Sequence, residues 1–221
     1  MHYKNIIFDL DGTLLNTLED LGDAVNHALA RYGLPTHSYD AIRMMVGNGV
    51  RLLVERAVGN AASDVCFDDV FACFKAYYVD HCREKTQIYD GLREVLVSLR
   101  ERGCRMAIVS NKLQAGVTEL QRAYFDGLID VAIGERSIEL GDSETLRRKP
   151  APDMLHAAMR QMGATAEDSV YVGDSDVDIE TARRAGLPCI SVLWGFRDEA
   201  FLREWGATTL CAAPEDLLTL C

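Results

Sequence analysis

Asn5-Ile6-Ile7-Phe8-Asp9-Leu10-Asp11-Gly12-Thr13 is the stretch on which the reading of this chain turns. Ile6, Ile7 and Phe8 form a short β-prone run, and Gly12 ends it where the backbone can approach a ligand closely. Asp9 and Asp11 are therefore expected at the carboxyl end of a strand. In open α/β sheets ligands bind outside that end, at a switch in strand order. A competing reading makes Asp11-Gly12 the turn of a β-hairpin. That would need an alternating strand after Thr13. Instead, apolar side chains recur at Leu18, Leu21, Ala24, Val25, Ala28, Leu29 and Tyr32, which is the period of a helix.

Working outward, residues 16 to 87 show only helical periods and read as an inserted helical subdomain. Its first helix stops at Gly33-Leu34-Pro35, a second begins near Ser38, a third carries Val50, Leu53, Val54, Ala57 and Val58, and a fourth runs from about Phe67 to His81. Phe67, Phe71, Phe74, Tyr77 and Tyr78 are read as its core. From Tyr89-Asp90-Gly91 onward helices and strands alternate. A helix over Val95 to Arg102 ends at Gly103, and Cys104 to Val109 reads as a buried strand. Further strands are expected at Leu128 to Ile133, Ser169 to Val172, Cys189 to Leu193 and Ala207 to Cys211, with helices near 113 to 124, 153 to 162 and 177 to 185. Repeated βα units of this kind imply a Rossmann-like α/β core, a parallel sheet with helices on both faces. The expected organisation is thus residues 1–15 plus 88–221 as core and 16–87 as helical insertion. Gly141 to Leu146 reads as an exposed loop.

The chain has 221 residues, 48% of them hydrophobic, enough to bury a sizeable core. Its net charge of −11 disfavours nucleic acid and anionic membranes as partners, because binding there needs a surplus of lysine and arginine. A small anionic substrate stays possible, since local groups and a metal reverse the field inside a cleft. Cys66, Cys73, Cys82, Cys104, Cys189, Cys211 and Cys221 are odd in number, scattered and form no Cys-x-x-Cys pair, so they read as reduced core residues. With no long apolar segment at the start or later, a cytoplasmic location is expected.

Three more groups of polar residues fall beside expected strand ends. Ser110-Asn111-Lys112 follows one strand directly; a hydroxyl and nearby amides there can hold phosphate oxygens, or Ser110 or Asn111 can cap a helix. Lys149, followed by Pro150-Ala151-Pro152, comes from a stiff turn, and its ammonium suits a phosphoryl group and an attacking carboxylate. As a surface lysine it would do neither. Gly173-Asp174-Ser175-Asp176-Val177-Asp178 puts carboxylates at another strand end, with Asp178 one helical turn beyond Asp174. Capping accounts for one or two of these acids, and a hard-cation site accounts for the surplus. Two like charges about 4 Å apart repel by about 4 kcal/mol at an effective dielectric of 20, and a phosphate dianion roughly doubles that. A cation such as Mg2+ offsets this, aided by Lys149.

These four sites, in this order, resemble those of the haloacid dehalogenase superfamily of aspartyl-phosphate-forming phosphatases. The resemblance implies that Asp9 is the nucleophile and Asp11 the general acid and base. It further implies that Ser110 and Lys149 bind the phosphoryl group, with Thr13 and Asn111 assisting. Mg2+ would be held by Asp9, the Asp11 backbone carbonyl and Asp174, with Asp178 supporting from nearby. The insertion looks like the family's α-helical cap, which closes over small substrates. Gly47-Asn48-Gly49, with Trp194-Gly195-Phe196, is similar to the phosphoglycolate phosphatase branch, although a glycine pair around an asparagine equally describes an inter-helix turn. Asp90 stands where the family commonly has proline.

The expected activity is therefore hydrolysis of a small phosphorylated metabolite, 2-phosphoglycolate first, by a monomer or homodimer. The substrate's carboxylate would need donors such as Arg43, Arg51 or the amides of Gly47 to Gly49. A dehalogenase would lack Asp11, and a phosphonate hydrolase would need a cap lysine where only Lys75 and Lys85 stand. A sugar-phosphate mutase resembling β-phosphoglucomutase would pass the phosphoryl group to a sugar oxygen instead of water. From outside enzymology, a phosphate-binding regulatory protein on the same fold would leave its carboxylates without use.

Overall fold

Strand β1 (Asn5–Phe8) is buried at every residue and occupies the middle of a six-stranded sheet. The computed structural model describes residues 3–60, 65–136 and 145–221. Two units make up the chain, one holding the residues through Leu14 with Ile88–Cys221, the other Leu15–Gln87.

In the first unit the remaining strands are β4 (Arg105–Leu113), β5 (Val131–Glu135), β6 (Ser169–Gly173), β7 (Cys189–Val192) and β8 (Thr209–Cys211). They are arranged β5-β4-β1-β6-β7-β8, and every pair is parallel. Strand order therefore reverses at β1, which opens a crevice at the carboxyl ends of β1 and β6. Side chains alternate across the sheet. Ile7, Ala107, Val109 and Tyr171 pack with Met154, Leu155 and Ala158 of α7 (Asp153–Met162) and Ala182 of α8 (Asp176–Ala185). Ile6, Phe8, Met106, Ile108, Val170 and Val172 point the other way and are equally buried. Both faces are thus covered, as a parallel sheet requires. The unit also holds α5 (Leu92–Glu101), α6 (Gln114–Phe125), α9 (Glu199–Glu204) and α10 (Leu217–Leu220).

The second unit contains α1 (Leu18–Arg31), α2 (Tyr39–Met45), α3 (Val50–Val58) and α4 (Phe67–His81). Two short strands missed by the helical reading, β2 (Leu15–Asn16) and β3 (Gln87–Ile88), pair where the chain leaves and re-enters the core. Asp20, 3% exposed, anchors the return: its carboxylate accepts the backbone N–H groups of Lys85 (3.0 Å) and Thr86 (2.9 Å). Phe67, Phe71, Phe74 and Tyr78 stack in a ladder along α4, but only Phe74 is fully buried. The outer rings carry cations instead, Arg51 over Phe67 and Phe71 and Lys75 over Phe71.

Several expected boundaries shift for local reasons. β5 begins at Val131 rather than Leu128, because Leu128 and Ile129 still turn back onto Phe125 through their backbone N–H groups. β4 continues past Val109 to Leu113, its pairing with β5 changing register between those residues. α5 starts at Leu92, behind Gly91 in the left-handed region. Helices α9 and α10, too short to display a period, were not expected. Of the stretch read as an exposed loop, residues 141–144 lie outside the described residues; Leu146 is buried and bridges Arg136. Among the cysteines only Cys104, Cys211 and Cys221 are buried, and Cys66 is exposed; all are free thiols.

Candidate active site

The register of the sheet assembles the site. Phe8 lies opposite Ile108 of β4 and Val172 of β6, so the chain just beyond β1 runs level with the end of β6 and with the register change that begins after Val109 in β4. The Asp9 N–H donates to the Val172 carbonyl, carrying the ladder one residue into the loop.

Lys149 is the hub. Its ammonium, 3% exposed, sits 2.7 Å from Asp9 Oδ1 and 2.8 Å from Asp178 Oδ1, and donates to the Tyr171 hydroxyl at 3.1 Å. This disposes of the reading of Lys149 as a surface residue. Asn111 clasps the main chain of Lys149: the Lys149 N–H donates to Asn111 Oδ1 (2.6 Å), and Asn111 Nδ2 donates to the Lys149 carbonyl (3.1 Å). Asn111 thus holds the lysine, with one N–H of its amide left for a further partner. Neither Ser110 nor Asn111 caps a helix, since α6 begins after Leu113 and has no side-chain cap.

Asp178 shows capping and site geometry at once. Ser175 is the N-cap of α8, and the two side chains form a capping box. Asp178 Oδ2 accepts the N–H groups of Asp174 (3.2 Å) and Ser175 (3.1 Å) and the Ser175 hydroxyl (2.5 Å). Its Oδ1 accepts from Lys149 and from the Tyr171 hydroxyl at 3.0 Å.

Asp174, 1% exposed, is steadied by the loop after β7, where the Phe196 N–H donates to its Oδ2 at 2.7 Å. The Thr13 hydroxyl donates to its Oδ1 at 3.4 Å, and Trp194 Nε1 donates to the Thr13 carbonyl at 3.0 Å. Backbone comes so close that side chains are excluded. A Cβ on Gly195 would stand 2.6 Å from both Asp174 Oδ2 and the Gly12 carbonyl; Gly12 itself has φ +91°, and a Cβ there would meet Asp174 and the Phe196 ring.

Asp11 is more open. Its Oδ1 lies 3.2 Å from the Lys112 ammonium, and its Oδ2 accepts from the Ser110 hydroxyl at 3.5 Å.

The charges are out of balance. Burial, then the nearby Asp178, pushes the Asp9 carboxyl well above its ordinary range against the pull of Lys149. Burial and Asp178 likewise push Asp174 up to about 7. Burial alone would lower the Lys149 ammonium, but Asp178 and Asp9 override it and hold the charge on. Burial, Asp178 and Asp9 together keep the Tyr171 phenol protonated as a donor. Three buried carboxylates around one ammonium leave excess negative charge in a desolvated place.

Asp9, Thr13, Ser110, Asn111, Lys149, Asp174 and Asp178 are therefore gathered at one sheet edge, with Asp11 beside Ser110. Gly47, Asn48 and Gly49 belong to the helical unit, where they form the turn between α2 and α3, with Gly49 at the N-cap of α3. Arg51 is committed within that unit to Glu55 (3.1 Å), Asp68 (3.3 Å) and two aromatic rings, which argues against it as a substrate donor; Arg43 lies exposed on α2. Lys85 is paired with Asp23 at 2.6 Å and its charge is held on by that carboxylate, the opposite of what an amine nucleophile needs. Sequence reasoning missed Tyr171, Lys112 and the part played by Trp194 to Phe196. Tyr171 reads as one more apolar strand residue, and only the partners of its hydroxyl, Lys149 and Asp178, give it away.

A sequence model of the haloacid dehalogenase-like hydrolases matches residues 6–192. Relatives include the phosphoglycolate phosphatase of Pseudomonas syringae pv. syringae, 36% identical over 201 residues, which are 87% of this chain and 70% of that protein. The phosphoglycolate phosphatase of Colwellia psychrerythraea is 35% identical over 208 residues, 91% of this chain and 89% of that one. A crystal structure of a protein from Lactobacillus delbrueckii subsp. bulgaricus superposes with a TM-score of 0.90 at 36% identity, covering 98% of this chain and 97% of its own. With relatives above one-third identity over most of its length, and a match that runs from β1 through β7, the chain belongs to the haloacid dehalogenase-like hydrolase family.

Proposed function

We propose that this chain is a Mg2+-dependent phosphatase that hydrolyses 2-phosphoglycolate by way of a phosphoryl group carried on Asp9. The observation that carries the reading is the buried cluster of Asp9, Lys149, Asp178 and Asp174 at the switch in strand order. Relatives named phosphoglycolate phosphatase support the substrate.

Asp9 attacks phosphorus as the bond to the leaving oxygen breaks, and Asp11 gives that oxygen a proton. Water then attacks the same phosphorus, Asp11 takes its proton, and the bond to Asp9 breaks to release inorganic phosphate and restore both carboxyl groups. Lys149 aims the Asp9 carboxylate and offers charge to the phosphoryl oxygens. Ser110 and Thr13 bind those oxygens, while Asn111 acts through Lys149.

The donor set suits a hard divalent cation. Asp9, Asp174 and Asp178 each offer a carboxylate oxygen, and these lie within 4.8 Å of one another. Among the described residues Asp178 accepts five protein hydrogen bonds and Asp174 only two, so Asp9, Asp174 and the Asp11 backbone carbonyl would hold the ion, with the more heavily engaged Asp178 behind them. Bound Mg2+ supplies the positive charge that lets a carboxylate meet a phosphate dianion. No helix among the described residues is long and apolar enough to cross a membrane, and seven free cysteines suit the reducing cytoplasm.

Two experiments test this. In a phosphate-release assay with Mg2+, 2-phosphoglycolate should give the highest kcat/KM in a panel of small phosphate esters. Isomerisation of a hexose phosphate without release would make the chain a mutase, and silence on the whole panel would end the phosphatase reading. The second uses pH. With chelator present, the folded chain keeps protons on Asp9 and Asp174 that the unfolded chain gives up near the ordinary carboxylate value of 3.8. The stability these sites contribute therefore falls as pH rises from 3.8 through about 7. Mg2+ competes with those protons, so the rise in Tm on adding it should be larger at about pH 8 than at about pH 5. An equal rise at both would contradict a cation site built from these carboxylates.

A further inference from the structure

We propose that Lys112 is a positioning residue for Asp11, holding its carboxylate beside Ser110 where the phosphoryl group is to be transferred; this rests on the proton-transfer role given to Asp11 above. The Lys112 ammonium lies 3.2 Å from Asp11 Oδ1, and the two side chains are only 9% and 18% exposed. Pairs between solvated side chains hold little geometry. This one is largely withdrawn from water, which strengthens the attraction.

The lysine is itself held at three levels. It lies within the change of register in β4 between Val109 and Leu113, and its N–H donates to the Ser110 hydroxyl at 3.2 Å. Strand β5 presses bare backbone against it, so that a Cβ on Gly134 would come within 2.6 Å of the Lys112 carbonyl. Its aliphatic stem crosses Gly116, where a Cβ would stand 3.2 Å from the Lys112 Cδ and 3.3 Å from its Cγ. A long side chain fixed along its length loses little further freedom in making its ion pair.

The consequence falls on Asp11. Its Oδ1 faces Lys112 at 3.2 Å while its Oδ2 lies 3.5 Å from the Ser110 hydroxyl, a long contact, so the ion pair is what fixes the carboxylate. Ser110 in turn ties the two together, donating to Asp11 and accepting from Lys112. A group that must first give and then take a proton gains rate when it waits in one orientation. Lys112 touches neither phosphorus nor the leaving group in this account; it acts through Asp11.

The test is a double-mutant cycle of Lys112→Met and Asp11→Asn, with Lys112→Gln as a second variant and thermal melts to verify folding. Lys112→Met keeps the stem and removes the charge. It should lower kcat on an alkyl phosphate about 10- to 100-fold with little change in KM. On p-nitrophenyl phosphate, whose leaving group needs no proton, it should spare phosphoryl transfer to Asp9 and slow the water step, giving a burst of nitrophenolate. In the Asp11→Asn background it should add less than about 2-fold to the loss in steady-state rate on p-nitrophenyl phosphate. A full multiplicative loss in that background, a rise in KM alone, or wild-type rates in Lys112→Met would each overturn the proposal while leaving the phosphatase reading intact. A wild-type chain that released no phosphate from any ester would take both down.

Discussion

Replacing Asp9 with Asn should lower kcat by about four orders of magnitude or more while the phosphate ester binds nearly as well as before. The amide has the shape of the carboxylate but no lone-pair charge with which to attack phosphorus. Its environment changes little, because Lys149 keeps its contact with Asp178 at 2.8 Å. Removing one negative charge from a cluster that already carries too many should favour an anionic ligand. The loss is therefore expected in kcat and not in affinity. Single-turnover kinetics and acid-quenched mass spectrometry check this, the wild-type chain showing a phosphoryl adduct on Asp9 and the variant none. Turnover above about one per cent of wild type would remove Asp9 as the nucleophile.

Lys149→Met should cost both activity and stability. The ammonium is buried between two carboxylates, and breaking a buried pair by removing one partner typically costs about 3–5 kcal/mol. For a chain of this size that is a fall in Tm of about 10 °C, with kcat down by about three orders of magnitude. The sign of the pH dependence follows from the carboxylates left behind. Asp9 and Asp174 are already pushed up by burial and by Asp178, and without the ammonium they take up protons more readily still. At about pH 5 protonation removes part of the repulsion, so the stability deficit should be smaller there than at about pH 8. Mg2+ should recover some stability at the higher pH without restoring turnover. A variant that melted within a degree of wild type at both pH values would mean that Lys149 does not neutralise the cluster.

Much of this architecture is legible in the sequence because it is local. Ile6 to Phe8 followed by Asp9-Leu10-Asp11-Gly12 marks strand and breaker in one reading, and the helical period from Leu18 to Tyr32 excludes a hairpin. What escaped depends on contacts between distant segments. Tyr171 looks like any apolar strand residue, and its hydroxyl matters only because the turn carrying Lys149 and the first turn of α8 carrying Asp178 meet over it. The grip of Lys112 on Asp11 spans 101 residues and sits within a change of register in β4 that no periodicity announces. Asn111 is expected from the resemblance to assist phosphate binding and positioning, but that its side chain clasps the main chain of Lys149, thirty-eight residues away, is not visible in the sequence. The short helices α9 and α10 leave no trace for a different reason, since a few residues cannot display a period, and the start of β5 is set by the backbone turn of Leu128 and Ile129 onto Phe125.

Gly12 and Gly195 press bare main chain against the Asp174 carboxylate from two sides. A methyl group at either position would have to displace the Asp174 carboxylate or the backbone facing it, so the two loops could accommodate it only by moving together. Two residues with no functional group of their own should therefore tolerate replacement as poorly as the acid they enclose.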